Sequence, residues 1–194
     1  MAVETIMVRN NTLYLLRHAH TQIDSRLPAS SWVLSEEGIR QAKAARASIG
    51  LGFDRIYSSE ERKAIQTAEF FLSSSEEEIV ATSLLNELNR DKGSSLSSDD
   101  YFKAVETTLA NPHCSVHNWE SAQSAHERFL QAIRQIDNEN LNAPILIVSH
   151  GLVLSIYFAK ALGQIEAVYE RWKKLRFCSW GIVENKNIIK DIIV

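Results

Sequence analysis

The segment PILIVSH, residues 144–150, limits what this chain can fold into more than any other feature of the sequence. It contains no charged side chain before its last residue, His150. A strand without charges is buried on both faces, which is typical of a parallel sheet covered on each side by helices. Apolar runs of strand length alternate with stretches of helical periodicity along the chain. The sequence therefore predicts an α/β fold with three layers, α/β/α, around a mostly parallel central sheet.

The strands and helices of this fold can be placed along the chain. Strands are predicted at 12–18, 53–59, 78–83 and 144–150, with a closing hairpin at 177–183 and 188–194. A further strand at 3–8 is expected to pair with the first strand through a turn at 10–11. Helices are predicted at about 35–49, 58–73, 98–110, 122–136, 152–162 and 164–174. Ser35 is the expected N-cap of the first helix, and Ser58 with Glu61 is expected to form a capping box for the second.

Composition narrows the class of protein. The chain has 194 residues, of which 45% are hydrophobic and 23% charged, and this suits a single ordered domain over 1–194. The net charge of −3 argues against nucleic acid or a membrane surface as a partner, because both attract a basic face. No apolar run is long enough to span a bilayer, and the first residues lack a signal-peptide pattern. The two cysteines, Cys114 and Cys178, predict no disulfide framework, so the reducing cytoplasm is the expected location.

Polar side chains follow the apolar strands at the points where the strands end. Arg17 and His18 end the first strand and His150 ends the fourth, while Arg62 lies in the helix after the second and Glu87 follows the third. Because the carboxyl ends of parallel strands meet at one edge of a sheet, we expect these side chains to gather there. A helix N-terminus already favours an anion, so an arginine at this position suits phosphate. The sequence therefore predicts a phosphate-handling site.

Each of these residues has an ordinary interpretation when it is taken alone. A histidine after a strand is usually a loop residue with its hydrogen bonds satisfied, and an arginine at a helix start is commonly part of a surface salt bridge. A glutamate in a loop is usually solvated. Their arrival at one edge of the sheet is what favours a shared site.

Six short motifs occur in order between residues 15 and 151. Each resembles a pattern of one enzyme superfamily. LLRHAHT (15–21) corresponds to Arg-His-Gly, LSEEGIRQA (34–42) to Leu-Thr-x-x-Gly-x-x-Gln-Ala, and YSSEERKAIQTAE (57–69) to Ser-Ser-x-x-x-Arg-Ala-x-Gln-Thr-Ala. LLNE (84–87) corresponds to Leu-x-Glu, WESAQSAHERF (119–129) to Gly-Glu-Ser…Arg, and VSHG (148–151) to the segment with a second histidine. In this ordered set the chain resembles the histidine phosphatase (phosphoglycerate mutase-like) superfamily. The resemblance implies a phosphoglycerate mutase-like fold.

The resemblance also implies a role for each residue of the predicted site. His18 would be the nucleophile that takes the phosphoryl group, and Arg17, Arg62 and His150 would hold its oxygens. Glu87 would protonate the leaving group. These residue types suit the chemistry, because phosphoryl transfer depends on positive charge at the equatorial oxygens and a neutral imidazole can attack phosphorus. Neither a metal nor another cofactor is expected.

Thr21 and Asp24 are further candidates for phosphate contact, although the second departs from the family pattern. Many relatives carry an asparagine where this chain has Asp24, and a carboxylate there would repel phosphate unless it turned toward a cation such as Arg26. Ala19 replaces the usual glycine. His20 stands where many members have an acidic residue, so its role stays open and contact at the rim of the site is favoured.

A metal-independent phosphomonoester hydrolase is the favoured function, acting on a small phosphorylated substrate or a phosphoprotein. A phosphoglycerate mutase-type phosphotransferase is the alternative, but the segment after Glu87 does not match the one that grips phosphoglycerate in those mutases. A non-catalytic phospholigand-binding module is a third possibility. Residues 88–118 are predicted to be an insertion that covers the substrate, in which Tyr101 and Phe102, with Trp119 after it, form a lid or pack in the core. Neither the physiological substrate nor the oligomeric state follows from the sequence.

A metal site is the remaining rival interpretation. His113, Cys114 and His117 have ligand-like spacing, and His126 follows them. A structural zinc site usually has four nitrogen or sulfur ligands, and only one cysteine is near. A polar loop is therefore favoured at these residues.

Overall fold

A computed structural model describes residues 10–91 and 96–193. Its strands are β1 (Thr12–Arg17), β2 (Arg55–Ser58), β3 (Ile79–Ala81), β4 (Pro144–Ser149), β5 (Trp180–Glu184) and β6 (Asn187–Lys190). They form one sheet in the order β3-β2-β4-β1-β5-β6. The first four strands run parallel, β5 lies antiparallel to β1, and β6 lies antiparallel to β5. The prediction of a mostly parallel sheet is confirmed.

Helices cover both faces of this sheet. They are α1 (Glu36–Ile49), α2 (Arg62–Glu69), α3 (Ser98–Ala110), α4 (Ala122–Glu139), α5 (Gly151–Ala161) and α6 (Val168–Lys174). Apolar residues of α1 and α2 pack with one face of β1 and β4, and apolar residues of α3 to α6 pack with the other. The three-layer α/β/α arrangement is therefore confirmed.

Strand β4 shows why its sequence carries no charge. Ile145 and Ile147 belong to the core on the side of α3 to α6, whereas Leu146 and Val148 belong to the core on the side of α1 and α2. All four side chains are fully buried. Successive residues of a strand point to opposite faces, so a strand with a helical layer on each side must be apolar at every position.

Helix α2 begins later than its sequence suggested. The residue at its N-cap is Glu61, and the predicted capping box is absent because the Ser58 hydroxyl donates to the carbonyl of Ser59. The helix ends at Glu69, before the predicted end at 73. Ser35 caps α1 as predicted, since its hydroxyl accepts the N–H of Gly38 at 3.1 Å. The strand predicted at 3–8 lies outside the described residues.

The carboxyl ends of β1, β2 and β4 place three polar residues side by side. Pairing sets Arg17 opposite Ser149 and Ser58 opposite Val148, so the residues that follow the strands are His18, Ser59 and His150. The N–H of His18 donates to the carbonyl of Ser149 at 2.9 Å, which extends the ladder into the site. Parallel sheets bind ligands at this edge. Among the described residues, no helix is both long enough and apolar enough to cross a bilayer.

Candidate active site

Two buried histidines form the centre of the site. The rings of His18 and His150 lie 5.0 Å apart between centroids, and their exposed fractions are 6% and 0%. Each comes directly after a strand, and His150 is also the N-cap of α5. The sequence expectation that these two residues meet at the sheet edge agrees with this geometry.

The tautomer of His18 is fixed by its own backbone. Its Nδ1 lies 2.8 Å from the carbonyl oxygen of Ala19. A carbonyl can only accept, so the proton is on Nδ1 and Nε2 keeps its lone pair. Burial, followed by the charges of neighbouring groups that include Arg17 and Lys63, holds the pKa of His18 well below its ordinary value. The imidazole is therefore neutral at neutral pH, the form that can attack phosphorus.

His150 is positioned by Ser59. The Ser59 hydroxyl lies 2.6 Å from Nε2 of His150, while Nδ1 is buried and has no hydrogen-bond partner within the described part of the chain. When Ser59 donates this bond, the proton of the imidazole is on Nδ1 and can be donated to an oxygen of a ligand. Burial, together with the positive charges of Lys63 and Arg17, holds the pKa of His150 well below its ordinary value.

Arg17 brings a fixed positive charge to the site. Its Nη1 donates to the carbonyl of Leu175, and its guanidinium carbon lies 4.2 Å from the centre of the Phe177 ring. The guanidinium packs on the first residue of α5, where a Cβ on Gly151 would lie 3.3 Å from both its Cζ and its Nε. Glycine is therefore the residue that lets the cation approach the start of α5.

Lys63 is a second buried cation beside the histidines, and it lies next to Arg62, the residue that the sequence predicted for this role. Arg62 is exposed, whereas Lys63 is 4% exposed and its charge acts on both His18 and His150. Counted from Ser58, the arginine of the motif Ser-Ser-x-x-x-Arg falls on Lys63. The two residues are adjacent on α2, and consecutive residues of a helix point about 100° apart.

Lys63 is held by two oxygen groups. Its ammonium contacts the carboxylate of Glu61 directly and donates to the carbonyl of Ala29 at 2.7 Å. An ammonium group has three donors, so one remains for a ligand. Glu61 is itself 7% exposed, and sequence reasoning did not assign it to the site.

Glu87 lies at the first turn of α5. Its carboxylate accepts the N–H groups of Leu152 at 3.0 Å and Val153 at 3.2 Å, and also that of Leu88 at 3.0 Å. Its own N–H donates to Oε1 of Glu61 at 2.7 Å. These bonds fix the carboxylate at the helix N-terminus, beside His150.

Arg128 of α4 organises the backbone that carries Glu87. Its guanidinium donates to the carbonyls of Ser83, Leu84, Asn86 and Glu87 at distances between 2.9 and 3.1 Å. It also pairs with the carboxylate of Glu120 at 2.8 Å. The sequence contained this residue as the arginine of the fifth motif, but its role depends on the path of a loop that periodicity does not predict.

The carboxylate of Asp24, a predicted phosphate ligand, is bound by Arg26. The carboxylate of Asp24 accepts hydrogen bonds from the backbone N–H, Nε and Nη2 of Arg26 at 2.7–3.0 Å. These bonds hold the pKa of Asp24 below its ordinary value. Thr21 is buried and forms an isolated bridge with Leu34, and its contact with phosphate stays a prediction. His20 bonds through Nδ1 to the hydroxyl of Ser35 at 2.8 Å.

A cavity of about 510 Å³ opens from Glu61 and Glu87 toward the loop after β3. Its lining also includes Arg90, Trp119 and Arg128. The Arg90 guanidinium lies 5.0 Å from the centre of the Tyr101 ring and 5.7 Å from that of Trp119, so the cation forms one wall of the cavity. Trp119 is 4% exposed, whereas the Phe102 side chain is 42% exposed. The cavity is large enough for a small leaving group, and it reaches the histidine site through Glu61 and Glu87 rather than through the histidines themselves.

The arrangement of the described side chains does not support the metal site considered at residues 113–126. Within the described residues, 10–91 and 96–193, no group of three or more His, Cys, Asp or Glu side chains is arranged to hold a metal ion. Cys114 is exposed, and His113 and His117 lie with it in the loop between α3 and α4.

Comparison with known proteins gives a consistent result. A family model of the histidine phosphatase superfamily (branch 1) matches residues 13–187. The protein named probable phosphoglycerate mutase GpmB from Cronobacter sakazakii is 28% identical over 181 residues, which cover 89% of this chain and 84% of that protein.

Two solved structures share the fold. The mycobacterial glucosyl-3-phosphoglycerate phosphatase has a TM-score of 0.74 at 18% identity, over 96% of this chain and 100% of its own. The phosphoserine phosphatase of Entamoeba histolytica, in complex with phosphoserine, has a TM-score of 0.71 at 20% identity, over 93% and 94%.

Proposed function

Because this chain belongs to the histidine phosphatase superfamily, we propose that it is a metal-independent phosphomonoester hydrolase that acts through a phosphohistidine on His18. The observation that carries the proposal is the hydrogen bond from Nδ1 of His18 to the carbonyl of Ala19. It leaves Nε2 unprotonated in a buried site beside Arg17, Lys63 and His150. A neutral nucleophile among donors is what phosphoryl transfer requires.

In the first step, Nε2 of His18 attacks phosphorus, a P–N bond forms and the P–O bond to the leaving group breaks. Arg17, Lys63 and His150 donate to the equatorial oxygens, which carry the charge in the transition state. Glu87, when protonated, gives its proton to the departing alkoxide. The phosphoryl group is then on His18.

In the second step, water takes the place of the leaving group. The oxygen of the water bonds to phosphorus while Glu87 accepts a proton from that water, and the P–N bond to His18 breaks. His18 is restored as a neutral imidazole, and inorganic phosphate is released. Splitting the hydrolysis into two transfers lowers each barrier.

We favour hydrolysis over mutase-type transfer. A mutase must retain its phosphorylated product long enough to return the phosphoryl group, and the segment after Glu87 lacks the mutase pattern. The substrate that the cavity suits best is a small phosphomonoester whose leaving group reaches from Glu87 toward Arg90. Residues 88–118 would cover this leaving group. We place the protein in the cytoplasm, on the basis of its two unpaired cysteines.

A panel of phosphomonoesters, measured with and without a chelator, tests the proposed function. We expect release of phosphate at an unchanged rate with chelator, and none from His18→Ala. Brief reaction of the wild type should leave an acid-labile phosphoryl label on His18. A label on His150, near-normal activity of the alanine variant, or a large loss with chelator would overturn the proposal.

The same panel decides between the alternatives. Transfer of label to an added phosphoglycerate, at a rate above hydrolysis, would favour the mutase. Binding of phosphoesters with no turnover of any would favour a non-catalytic phospholigand-binding module.

A further inference from the structure

Glu61 and Lys63 form a buried ion pair at the start of α2. Both side chains are less than one-tenth exposed, and the carboxylate contacts the ammonium directly. Charged groups are almost never fully buried unless they are paired. The mechanism proposed above uses Lys63 to hold phosphate and gives Glu61 no part.

The carboxylate of Glu61 contacts three parts of the site. Its Oε2 contacts Lys63, and its Oε1 accepts the N–H of Glu87 at 2.7 Å and lies 3.5 Å from Nε2 of His150. A phosphate dianion bound by Lys63 would therefore share this cation with the carboxylate that already contacts it. Two anions close together repel one another strongly in a buried site.

We propose that Glu61 is a positioning residue that holds Lys63 when the site is free and competes with phosphate for its charge. The carboxylate neutralises the cation and keeps its ammonium beside the histidines. When phosphate binds, Lys63 shares its donors between Glu61 and the ligand. The consequence is a weaker affinity for inorganic phosphate, the product, and hence faster product release. This inference rests on the proposed function only in requiring that the site binds phosphate.

A purely structural role for Glu61 makes a different prediction. In that case the carboxylate serves only to accept the N–H of Glu87 and the donors of Lys63, and its charge is of no consequence to phosphate. Glu61→Gln keeps an acceptor oxygen at this position and removes the charge, so it separates the two roles. Glu60→Gln is the matched control, because Glu60 is exposed and its loss changes the net charge of the chain equally.

The experiment is calorimetric titration of inorganic phosphate and of sulfate into the wild type, Glu61→Gln and Glu60→Gln at one pH. Sulfate keeps its double charge throughout the neutral range, so its binding reports the site alone. We expect Glu61→Gln to bind both anions about tenfold more tightly and Glu60→Gln to stay within about twofold of the wild type. In a Lys63→Met background, the gain from Glu61→Gln should be lost.

Other variants and outcomes complete the test. Glu61→Asp, which withdraws the carboxylate by one methylene, should give an intermediate gain, and thermal unfolding of every variant checks that the fold is kept. Equal or weaker anion binding by both Glu61 variants, a gain that persists without Lys63, or no anion binding by any form would overturn the inference. Absence of turnover by the wild type would overturn the proposed function instead, because the titration does not depend on catalysis.

Discussion

The hydroxyl of Thr67 accepts the backbone N–H of Ala19 at 3.0 Å, and it donates to the carbonyl of Lys63 at 2.7 Å. Thr67 is fully buried in α2. One side chain therefore ties the turn after the nucleophile to the helix that carries the second cation. Ala19 is also the residue whose carbonyl fixes the tautomer of His18, so its position matters to the chemistry.

Thr67→Val should destabilise the protein and weaken catalysis. The substitution keeps the shape of the side chain but leaves the buried N–H of Ala19 without its partner, which typically costs about 1–3 kcal/mol. Urea unfolding measures the loss, and Thr67→Ser, which keeps the hydroxyl, should recover most of it. If valine is as stable and active as threonine, this bond does not hold the turn.

Lys63→Met should lower kcat/KM by about 100-fold or more, because loss of one donor to transition-state charge commonly costs this much. Arg62→Met should stay within about twofold of the wild type, since its side chain is exposed. The two substitutions remove the same charge from adjacent residues and are measured with one substrate. A larger loss of kcat/KM in Arg62→Met than in Lys63→Met would show that Arg62, rather than Lys63, contacts the phosphate.

Glu87→Gln should slow esters with poor alkoxide leaving groups much more than activated aryl esters. An alkoxide needs a proton as it leaves, whereas a nitrophenolate does not, and general acids commonly contribute about 10²- to 10⁴-fold. The ratio of kcat/KM for an alkyl and an aryl phosphate, in wild type and variant, gives the result. An equal loss for both esters would remove Glu87 from proton donation.

Asp24→Asn should leave the inhibition constant for phosphate unchanged from pH 6 to pH 8. Because Arg26 lowers the pKa of Asp24, the carboxylate is ionised throughout this range, and it is directed to Arg26 rather than to the histidines. Competitive inhibition by phosphate across pH measures the effect. Tighter binding by the asparagine variant, most marked at high pH, would place the carboxylate in the site.

His126 should make the folded state less stable in acid. Burial, followed by the charge of Lys160, lowers its pKa from 6.5 to about 4. Between these values the unfolded chain binds a proton that the folded chain does not, so stability falls as pH falls from about 6.5 toward 4. His126→Gln should reduce this slope by up to about 1.4 kcal/mol per pH unit. Urea unfolding at several pH values measures it, and activity at pH 7 should be unchanged; an identical slope would contradict the expectation.

The layers of the fold could be predicted from periodicity, because apolar strands and amphipathic helices leave strong local patterns. The uncharged run 145–148 predicted its two covered faces, and Ser35 predicted the start of α1. The start of α2 was misjudged, because Ser58 and Glu61 match a capping box in sequence while their side chains bond elsewhere. A helix start displaced in this way changes which residue faces inward, and two adjacent cations give no local sign of which one is buried.

Contacts between distant segments were beyond sequence reasoning. In the sequence, Glu61 and Lys63 are two charged residues at a polar helix start. Their burial depends on the approach of the backbone of Glu87, which the sequence does not predict. Arg90 and Trp119 are 29 residues apart, and only the folded structure brings them together. By contrast, Arg26 follows Asp24 by two residues, and their pairing was foreseeable as the alternative to phosphate contact.

The packing of Arg17 on Gly151 brings together two positions that are 134 residues apart in the sequence. A side chain at 151 would displace the guanidinium by a few tenths of an ångström. A substitution at one of these positions therefore affects the side chain at the other. We expect a homologous chain with alanine at 151 to hold the side chain at 17 in a slightly displaced position, so residues at the two positions should tend to change together.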